Sequence, residues 1–154
     1  MKHVQGILPL NGDLFVVGEG PEGVGLYRLS DEDQDAKLDH AQLLTAFEGK
    51  MGEHGPHAVV LGPDGLIYVM LGNHSSPKQQ IEPSSPYHGY YEGDLVGPRY
   101  EDAGGHAVGI KAPGGTVIRT DTAGSFVEYF AGGFRNAYDL AFNKQGELLT
   151  SDSD

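Results

Sequence analysis

Residues 53–74 read EHGPHAVVLGPDGLIYVMLGNH, and the middle of this stretch predicts a β-hairpin. Two apolar runs, one containing Val59 and the other Val69, flank the turn sequence 62–65 (GPDG). In such a turn proline presets φ and glycine supplies a positive φ. Antiparallel pairing of the two runs brings the ends of the stretch together. Four polar residues are therefore expected to meet at one end of a sheet: His54, His57, Asn73 and His74.

The same hairpin pattern occurs three times in the chain. In each copy a glycine follows a large apolar residue by four positions, in the pairs Leu8 and Gly12, Leu61 and Gly65, and Phe142 and Gly146. The first two hairpins are each followed by a strand with Arg near its end and by another strand that ends in Phe-x-Gly. Four antiparallel strands that repeat in this way are typical of a β-propeller blade.

The repeat predicts an all-β chain that forms part of a β-propeller. The predicted division of the partial propeller domain 1–154 is a blade at 1–49, a blade at 54–132 with an insertion at 74–105, and the opening hairpin of a third blade at 133–154. A meandering β-sandwich that only repeats its turns is the alternative. Known propellers close with about four to eight blades, so the chain is expected to be part of a ring.

Composition supports this fold class and excludes some partners. The 154 residues include 24 Gly and no Cys, as in a turn-rich β protein. A helical turn or two is conceivable only in 35–47, which also suits a strand. The formal charge of −12 disfavours nucleic acid, because phosphate binding needs a basic surface. We also expect no membrane-spanning segment and find no signal peptide pattern in this sequence.

The insertion is rich in Pro, Ser, Gly and Tyr and lacks strand periodicity. Long loops within compact domains are usually functional or disordered. Four tyrosines favour a partly ordered lid over a floppy insertion: Tyr87, Tyr90, Tyr91 and Tyr100.

Five of the seven histidines lie between residues 53 and 106, namely His54, His57, His74, His88 and His106. A histidine has a pKa suited to proton abstraction, although any one of them is more often structural or exposed. His54 and His57 could begin a zinc site, but the chain has no HExxH motif and no Cys to complete one. The roles of His57, His74, His88 and His106 stay open from sequence.

Asp31, Asp33 and Asp35 stand at alternate positions, as at the start of a calcium-binding loop. Ala36 occupies the position where that loop needs glycine, and Gln42 the position of its bidentate glutamate. A solvated turn between two strands is the preferred interpretation.

Arg135 and Asn136, within the sequence Gly-Phe-Arg-Asn, fall at a blade junction equivalent to that of His54. Arginine offers a fixed fork of donors to carboxylate or quinone oxygens. Local sequence gives a structural role and a ligand-binding role equal weight here.

Taken together, His54, the hairpin 59–68, Gly72-Asn73 and the later Gly133-Phe134-Arg135-Asn136 resemble the soluble glucose/sorbosone dehydrogenase family of quinoproteins. That family consists of six-bladed β-propellers that use pyrroloquinoline quinone (PQQ) and calcium. The string 53–58 (EHGPHA) is similar to a bacterial branch that is often fused to haem-binding domains.

The resemblance implies that His54 is the general base and that Asn73 stands where the glucose enzymes carry an aspartate that orients the base. It implies that Arg135 and Asn136 bind PQQ, that the calcium ligands lie outside this chain, and that no metal ligand can be assigned within it. A sugar or alcohol hydroxyl would be oxidised by hydride transfer to the quinone, with an electron acceptor or a fused cytochrome domain as partner and a periplasmic or secreted location.

The full-length parent is thus expected to be an enzyme, whereas this chain alone is expected to be inactive. A non-catalytic propeller that binds carbohydrate or a protein partner is the alternative. Replacing His54 with alanine is expected to abolish turnover and to change stability by no more than about 1 kcal/mol, as at a surface position.

Overall fold

The computed structural model describes residues 1–89, 110 and 112–152. In these ranges the chain forms β-strands and no helix. None of the described segments is therefore a helix long and apolar enough to cross a membrane. The strands are β1 (Lys2–Leu10), β2 (Asp13–Gly20), β3 (Gly23–Ser30), β4 (His40–Glu48), β5 (Pro56–Leu61), β6 (Ile67–Leu71), β7 (Ser76–Pro77), β8 (Gly115–Thr120), β9 (Glu128–Phe134), β10 (Ala141–Phe142) and β11 (Leu148–Leu149).

The first sheet is an antiparallel meander in the order β1-β2-β3-β4, to which the short β7 adds at the β4 edge. Its first hairpin turns at Asn11 and Gly12, which have φ values of 54° and 89°. Two successive positive φ values match the right-handed twist of the flanking strands, which explains the Asn-Gly sequence.

The second sheet has the order β5-β6-β8-β9, again with every neighbouring pair antiparallel. The 53–74 stretch supplies its first hairpin, in which Leu61 pairs with Ile67 around the glycine turn. The third predicted hairpin is present as β10 and β11, with Phe142 opposite Leu148. All three hairpins predicted from the repeat are thus confirmed.

The second sheet is buried on both faces. One face joins the first sheet in a cluster that includes Phe15, Leu26 and Ile118, and the other face packs in a second cluster with Leu140 and Phe142 of the third hairpin. Every residue of β6 is buried as a result. A strand covered on both sides needs apolar residues at odd and even positions alike, which is why 67–71 reads IYVML without alternation.

The first strands of the two sheets lie directly against each other. A Cβ at Gly6 in β1 would stand 2.5 Å from the carbonyl oxygen of His57 and 2.9 Å from the amide nitrogen of Val59. Only glycine allows the two backbones to approach so closely. Successive four-stranded meanders that contact through their first strands and pack face to face have the arrangement of consecutive propeller blades.

The arginine near the end of each sheet's third strand binds back to its own sheet. Arg119 donates to Glu128 at 2.7 Å, to Asp64 at 3.5 Å and to the Tyr68 hydroxyl at 3.3 Å. Arg28 makes a less protected pair with Asp13 at 2.6 Å. The repeated arginines therefore tie the third strand to its neighbours in both sheets.

We expect Arg119→Lys to lower the free energy of unfolding by about 1–2 kcal/mol, because a lysine cannot reproduce the forked set of charge-assisted hydrogen bonds. Arg28→Lys is the matched control and should cost about 0.5 kcal/mol or less, as for a more exposed ion pair. Urea denaturation of both variants measures the difference. Equal losses would contradict the structural role assigned to Arg119.

Two segments left open by the sequence are resolved. Residues 40–48 form a strand rather than helical turns, and 31–39 form a loop. The insertion begins with β7 and continues over the second sheet, where the Tyr87 amide donates to the Tyr129 carbonyl at 3.0 Å. Tyr87 is thus held against the second sheet, whereas Tyr90, Tyr91 and Tyr100 lie outside the described residues, and the partly ordered lid stays a prediction. The division into blades at 49, 54 and 132 stays a prediction.

Candidate functional site

The alternation of strand direction collects the candidate residues at one end of the second sheet. His54 precedes the start of β5, and Asn73 follows the end of β6. Arg135 follows the end of β9, at the same end of the second sheet. Residues that are far apart in the sequence therefore share one small region.

His54 and Asn73 form a hydrogen-bonded pair, as the hairpin predicts. The Nδ1–H of His54 donates to Oδ1 of Asn73 at 2.7 Å. Because a carbonyl oxygen can only accept, this bond places a proton on Nδ1, and the neutral imidazole then carries its lone pair on Nε2. The bond therefore fixes the orientation of the imidazole ring.

The loop that carries His54 is held closely from the other side. The His74 amide donates to the His54 carbonyl at 3.1 Å, and the two imidazole rings stack with centroids 4.6 Å apart. A Cβ at Gly72 would lie 2.6 Å from the carbonyl carbon and oxygen of His54. His54 is only 9% exposed, so the expected surface position is wrong. Its ring is covered by the stack with His74 and by the hydrogen bond to Asn73.

Arg135 and Asn136 join the same region through the backbone. The Asn73 amide donates to the Arg135 carbonyl at 3.0 Å. Asp152 accepts hydrogen bonds from the amides of Arg135 and Asn136, each at 2.7 Å. The predicted general base with its partner, His54 and Asn73, thus lies next to the predicted cofactor-binding residues, Arg135 and Asn136.

The side chain of Asn136 points inward, toward His57. Its Oδ1 and the carbonyl oxygen of Glu53 both accept from Nε2–H of His57, at 3.2 and 2.9 Å. His57 is 1% exposed and stacks on Tyr138 with centroids 4.0 Å apart. His57 therefore connects the loop of His54 to the loop of Asn136.

His57 is held as a neutral side chain. Both acceptors lie at Nε2, and the buried Nδ1 has no hydrogen-bond partner among the described residues. Burial lowers the pKa of His57 from its ordinary value, and the neighbouring His54 acts in the same direction, while the hydrogen bonds to Asn136 and Glu53 and the charge of Asp139 oppose the shift. Protonation would put a charge and an unsatisfied N–H inside the protein.

We expect stability to fall as the pH drops below about 6.5, because the unfolded chain then binds a proton that folded His57 resists. One such group gives a slope of at most about 1.4 kcal/mol per pH unit. His57→Gln should reduce this slope in urea denaturation between about pH 7.5 and 5, whereas the exposed His40→Gln should not. An unchanged slope in His57→Gln would contradict a neutral buried histidine.

A cavity of about 340 Å³ opens beside the His54 and Asn73 pair. It lies between the loop that follows β6 and the start of β8, with Tyr129 of β9 at its wall. Asn73 and His74 contact His54 and also line the cavity. His54 itself is not among the described residues that line the cavity.

The metal hypotheses find limited support in the described residues. The His54 and His57 rings are engaged by Asn73, Glu53 and Asn136, and no triad of close metal-ligand atoms in the described ranges includes either histidine. The carboxylates of Asp31, Asp33 and Asp35 come within 4.8 Å of one another in the loop between β3 and β4. They accept local amide hydrogen bonds there, as in a solvated turn.

The remaining histidines are less involved in the candidate site. His88 is exposed and its Nδ1–H donates to the Ser85 carbonyl at 2.7 Å. His106 lies outside the described residues, so its role stays open.

Sequence reasoning missed the bridging role of His57 and the participation of Ser75 and Thr116 in the cavity. His57 is the second residue of the largely buried strand β5, and the apolar run that follows it in the sequence could have indicated burial. No local pattern marks Ser75 or Thr116, because their proximity depends on the pairing of β6 with β8.

Comparison with known proteins yields a structural match only. No family model matches the chain, and no curated protein does so. A crystal structure described as a candidate gluconolactonase superposes with a TM-score of 0.55 at 22% sequence identity. The match covers 98% of this chain and 42% of the other.

This likeness bears on the fold alone. The neighbour is a β-propeller, and its superposition agrees with the stacked antiparallel sheets described above. Membership of the quinoprotein dehydrogenases stays a prediction. The chain has an all-β fold that corresponds to part of a β-propeller.

Proposed function

We propose that the protein is part of a β-propeller enzyme that acts on a sugar or a sugar-derived substrate, with His54 as its general base. The observation that carries this proposal is the enclosed His54, whose Nδ1–H is bound to Asn73 at 2.7 Å. Pinning one ring nitrogen fixes the orientation of the other, and a base works only when its lone pair is aimed at the proton that it removes.

In the proposed reaction Nε2 of His54 removes a proton from a substrate hydroxyl. Asn73 keeps the imidazole oriented, and its amide oxygen offers the resulting imidazolium a hydrogen bond but no negative charge. The stack with His74 limits rotation of the ring. His54 and Asn73 are each only 9% exposed, which limits the contact of the base with bulk water.

The resemblance to quinoproteins supports oxidation as the specific reaction, and the described residues fit PQQ in part. When bound with calcium, PQQ supplies the chemistry of accepting a hydride from the substrate carbon. Arg135 is half-buried and lies at the same end of the second sheet as His54. In this proposal its guanidinium group would hold the oxygens of the cofactor. Asn136 fits less well, because it is 2% exposed and its side chain binds His57.

Calcium has no assigned ligands at this end of the described structure. Asp31, Asp33 and Asp35 follow β3, at the end of the first sheet opposite to the one where β4 finishes and β7 pairs. The resemblance places the ligands of this calcium outside the chain. The location outside the cytoplasm, an electron acceptor and a fused cytochrome domain are proposals that rest on the resemblance alone.

Lactone hydrolysis is a second candidate, favoured by the similarity to a candidate gluconolactonase. The same His54 would take a proton from water as the water attacks a lactone carbonyl. This reaction uses the oriented base and needs no quinone.

Two assays on the full-length parent protein distinguish these activities. The first supplies PQQ, calcium, an aldose panel and a redox dye, and the second follows acid release from gluconolactone. Dye reduction that depends on PQQ supports oxidation, whereas acid release above the spontaneous rate supports hydrolysis. If PQQ and sugar bind and neither reaction occurs, the enzyme proposal is wrong and the non-catalytic binding alternative is favoured.

A further inference from the structure

Residues 76–88, which we call the strap, run along the last strands of both four-stranded sheets. The strap begins as β7, which pairs with the end of β4 in the first sheet. The Lys78 amide then donates to the Ala46 carbonyl of β4 at 2.9 Å. Further along, the Glu82 amide donates at 2.9 Å to the carbonyl of Val127, directly before β9 of the second sheet. The strap therefore joins the two sheets at their edges.

Ser85 fastens the strap to β9. It is 2% exposed and is the one buried residue of the strap, all of which the structure describes. Its Oγ accepts from the Tyr129 amide at 3.1 Å and donates to the Glu82 carbonyl at 2.6 Å. The Tyr87 amide donates to the Tyr129 carbonyl at 3.0 Å. Because segments with few buried side chains open at a lower free energy than core strands, we expect the strap to open before the sheets do.

The beginning of the strap is attached directly to the candidate site. Only Ser75 separates it from His74, whose amide donates to the His54 carbonyl at 3.1 Å and whose ring stacks on that of His54. On its other side, the His74 carbonyl lies against Gly49, where an added Cβ would clash with it. Gly49 directly follows β4, the strand with which the strap pairs. His74 is thus held between the His54 loop and the first sheet.

We propose that the strap is a positioning device for the candidate site, and that its opening releases His74 from the first sheet and loosens the His54 loop. The proposal rests on the proposed function, since it concerns the placement of the proposed base. It also gives a task to the first part of the insertion, which the proposed reaction does not use. Segments that depend on the same contacts open as one cooperative unit.

Hydrogen exchange in the full-length parent protein, resolved to single amides by NMR or mass spectrometry, tests this proposal. The Lys78 and Tyr87 amides report the strap, and the His74 amide reports the site because it donates to His54. After correction for intrinsic exchange rates, we expect His74 to show the protection of the strap and less protection than the amides of β6. Protection of His74 at the level of β6 would overturn the proposal.

Ser85→Ala should weaken the strap from within, because it removes the acceptor of the Tyr129 amide. Exchange of the strap amides and of His74 should rise together by about ten-fold, as for a lost hydrogen bond that leaves its partner unpaired. Ser84→Ala is the matched control, since Ser84 is exposed and its Oγ contacts Glu128 only at 3.5 Å. Unchanged exchange of His74 in Ser85→Ala, or an equal effect of Ser84→Ala, would contradict the proposal.

Gly132→Ala displaces the strap from the opposite side and serves if Ser85→Ala does not fold. Gly132 lies in β9 under the ring of Tyr87, with which an added Cβ would clash. The substitution therefore alters no residue of the strap. It should again raise the exchange of the strap amides and of His74 together, and faster exchange of the strap alone would reject the proposed link to the site.

The strap and the proposed function can fail separately. Coupled exchange of His74 and the strap, in a protein without turnover in either assay, would retain the positioning device and reject the enzyme. Turnover that depends on His54, with exchange of His74 independent of the strap, would retain the enzyme and reject the positioning device.

Discussion

Replacing His54 with glutamine is expected to lower kcat/KM by at least about 100-fold in whichever of the two assays shows turnover. Loss of a general base typically costs about 10² to 10⁴ in rate, since no other group at that point can take the proton. Glutamine keeps an N–H donor for Asn73, so the loop should retain its conformation. The measurement is steady-state kinetics together with a urea denaturation curve.

The choice of glutamine over alanine follows from the enclosure of His54. Alanine would leave the buried Oδ1 of Asn73 without its donor, which costs about 1–3 kcal/mol. That loss exceeds the change of about 1 kcal/mol expected from sequence and would mix folding with catalysis. His88→Gln, at an exposed histidine, should change neither activity nor stability. If His54→Gln retains full activity, His54 is not the base.

Gly72→Ala is expected to damage the site and the fold together. The added Cβ would meet the carbonyl carbon and oxygen of His54 at 2.6 Å and the Gly55 carbonyl oxygen at 3.0 Å. All three are backbone atoms, so relief requires the His54 loop to move away from the end of β6. We expect a loss of about 2–3 kcal/mol in the free energy of unfolding.

The same displacement should separate His54 from Asn73 and reduce kcat/KM by about 100-fold, because small errors in placement have large effects on rate. Gly12→Ala serves as the control. A Cβ at Gly12 would meet no atom within 4 Å, but Gly12 has a φ of 89° in the first hairpin, so alanine there brings backbone strain without a steric clash. It should reduce stability and leave kcat unchanged. Full activity in Gly72→Ala would mean that the His54 loop tolerates the shift.

Much of the fold was accessible from the sequence because turn chemistry is local. Asn11-Gly12 and the GPDG turn each require backbone angles that few residues adopt, and the apolar runs beside them can pair only as hairpins. The recurrence of this unit then indicated the propeller. Segment 40–48 could not be assigned in the same way, since its apolar residues fit either a helix or a strand. Its strand conformation depends on antiparallel pairing with β3.

The candidate site was predicted to the extent that it depends on one hairpin. His54 and Asn73 belong to the 53–74 stretch, and antiparallel pairing places them together whatever the rest of the chain does. The contact of Asn136 with His57 joins residues 79 positions apart. It depends on β9 ending at the same end of the second sheet at which β5 begins.

The sequence by itself determined the all-β class, the repeated hairpins and the meeting of His54 with Asn73, because each of these follows from short-range backbone preferences. Only the tertiary structure decided that His54 is enclosed, that Asn136 turns inward to His57, and that Ser75 and Thr116 share a cavity. Those features arise where sheets pack and distant loops converge, and the burial and hydrogen-bond partners of a side chain there are set by residues far away in the sequence.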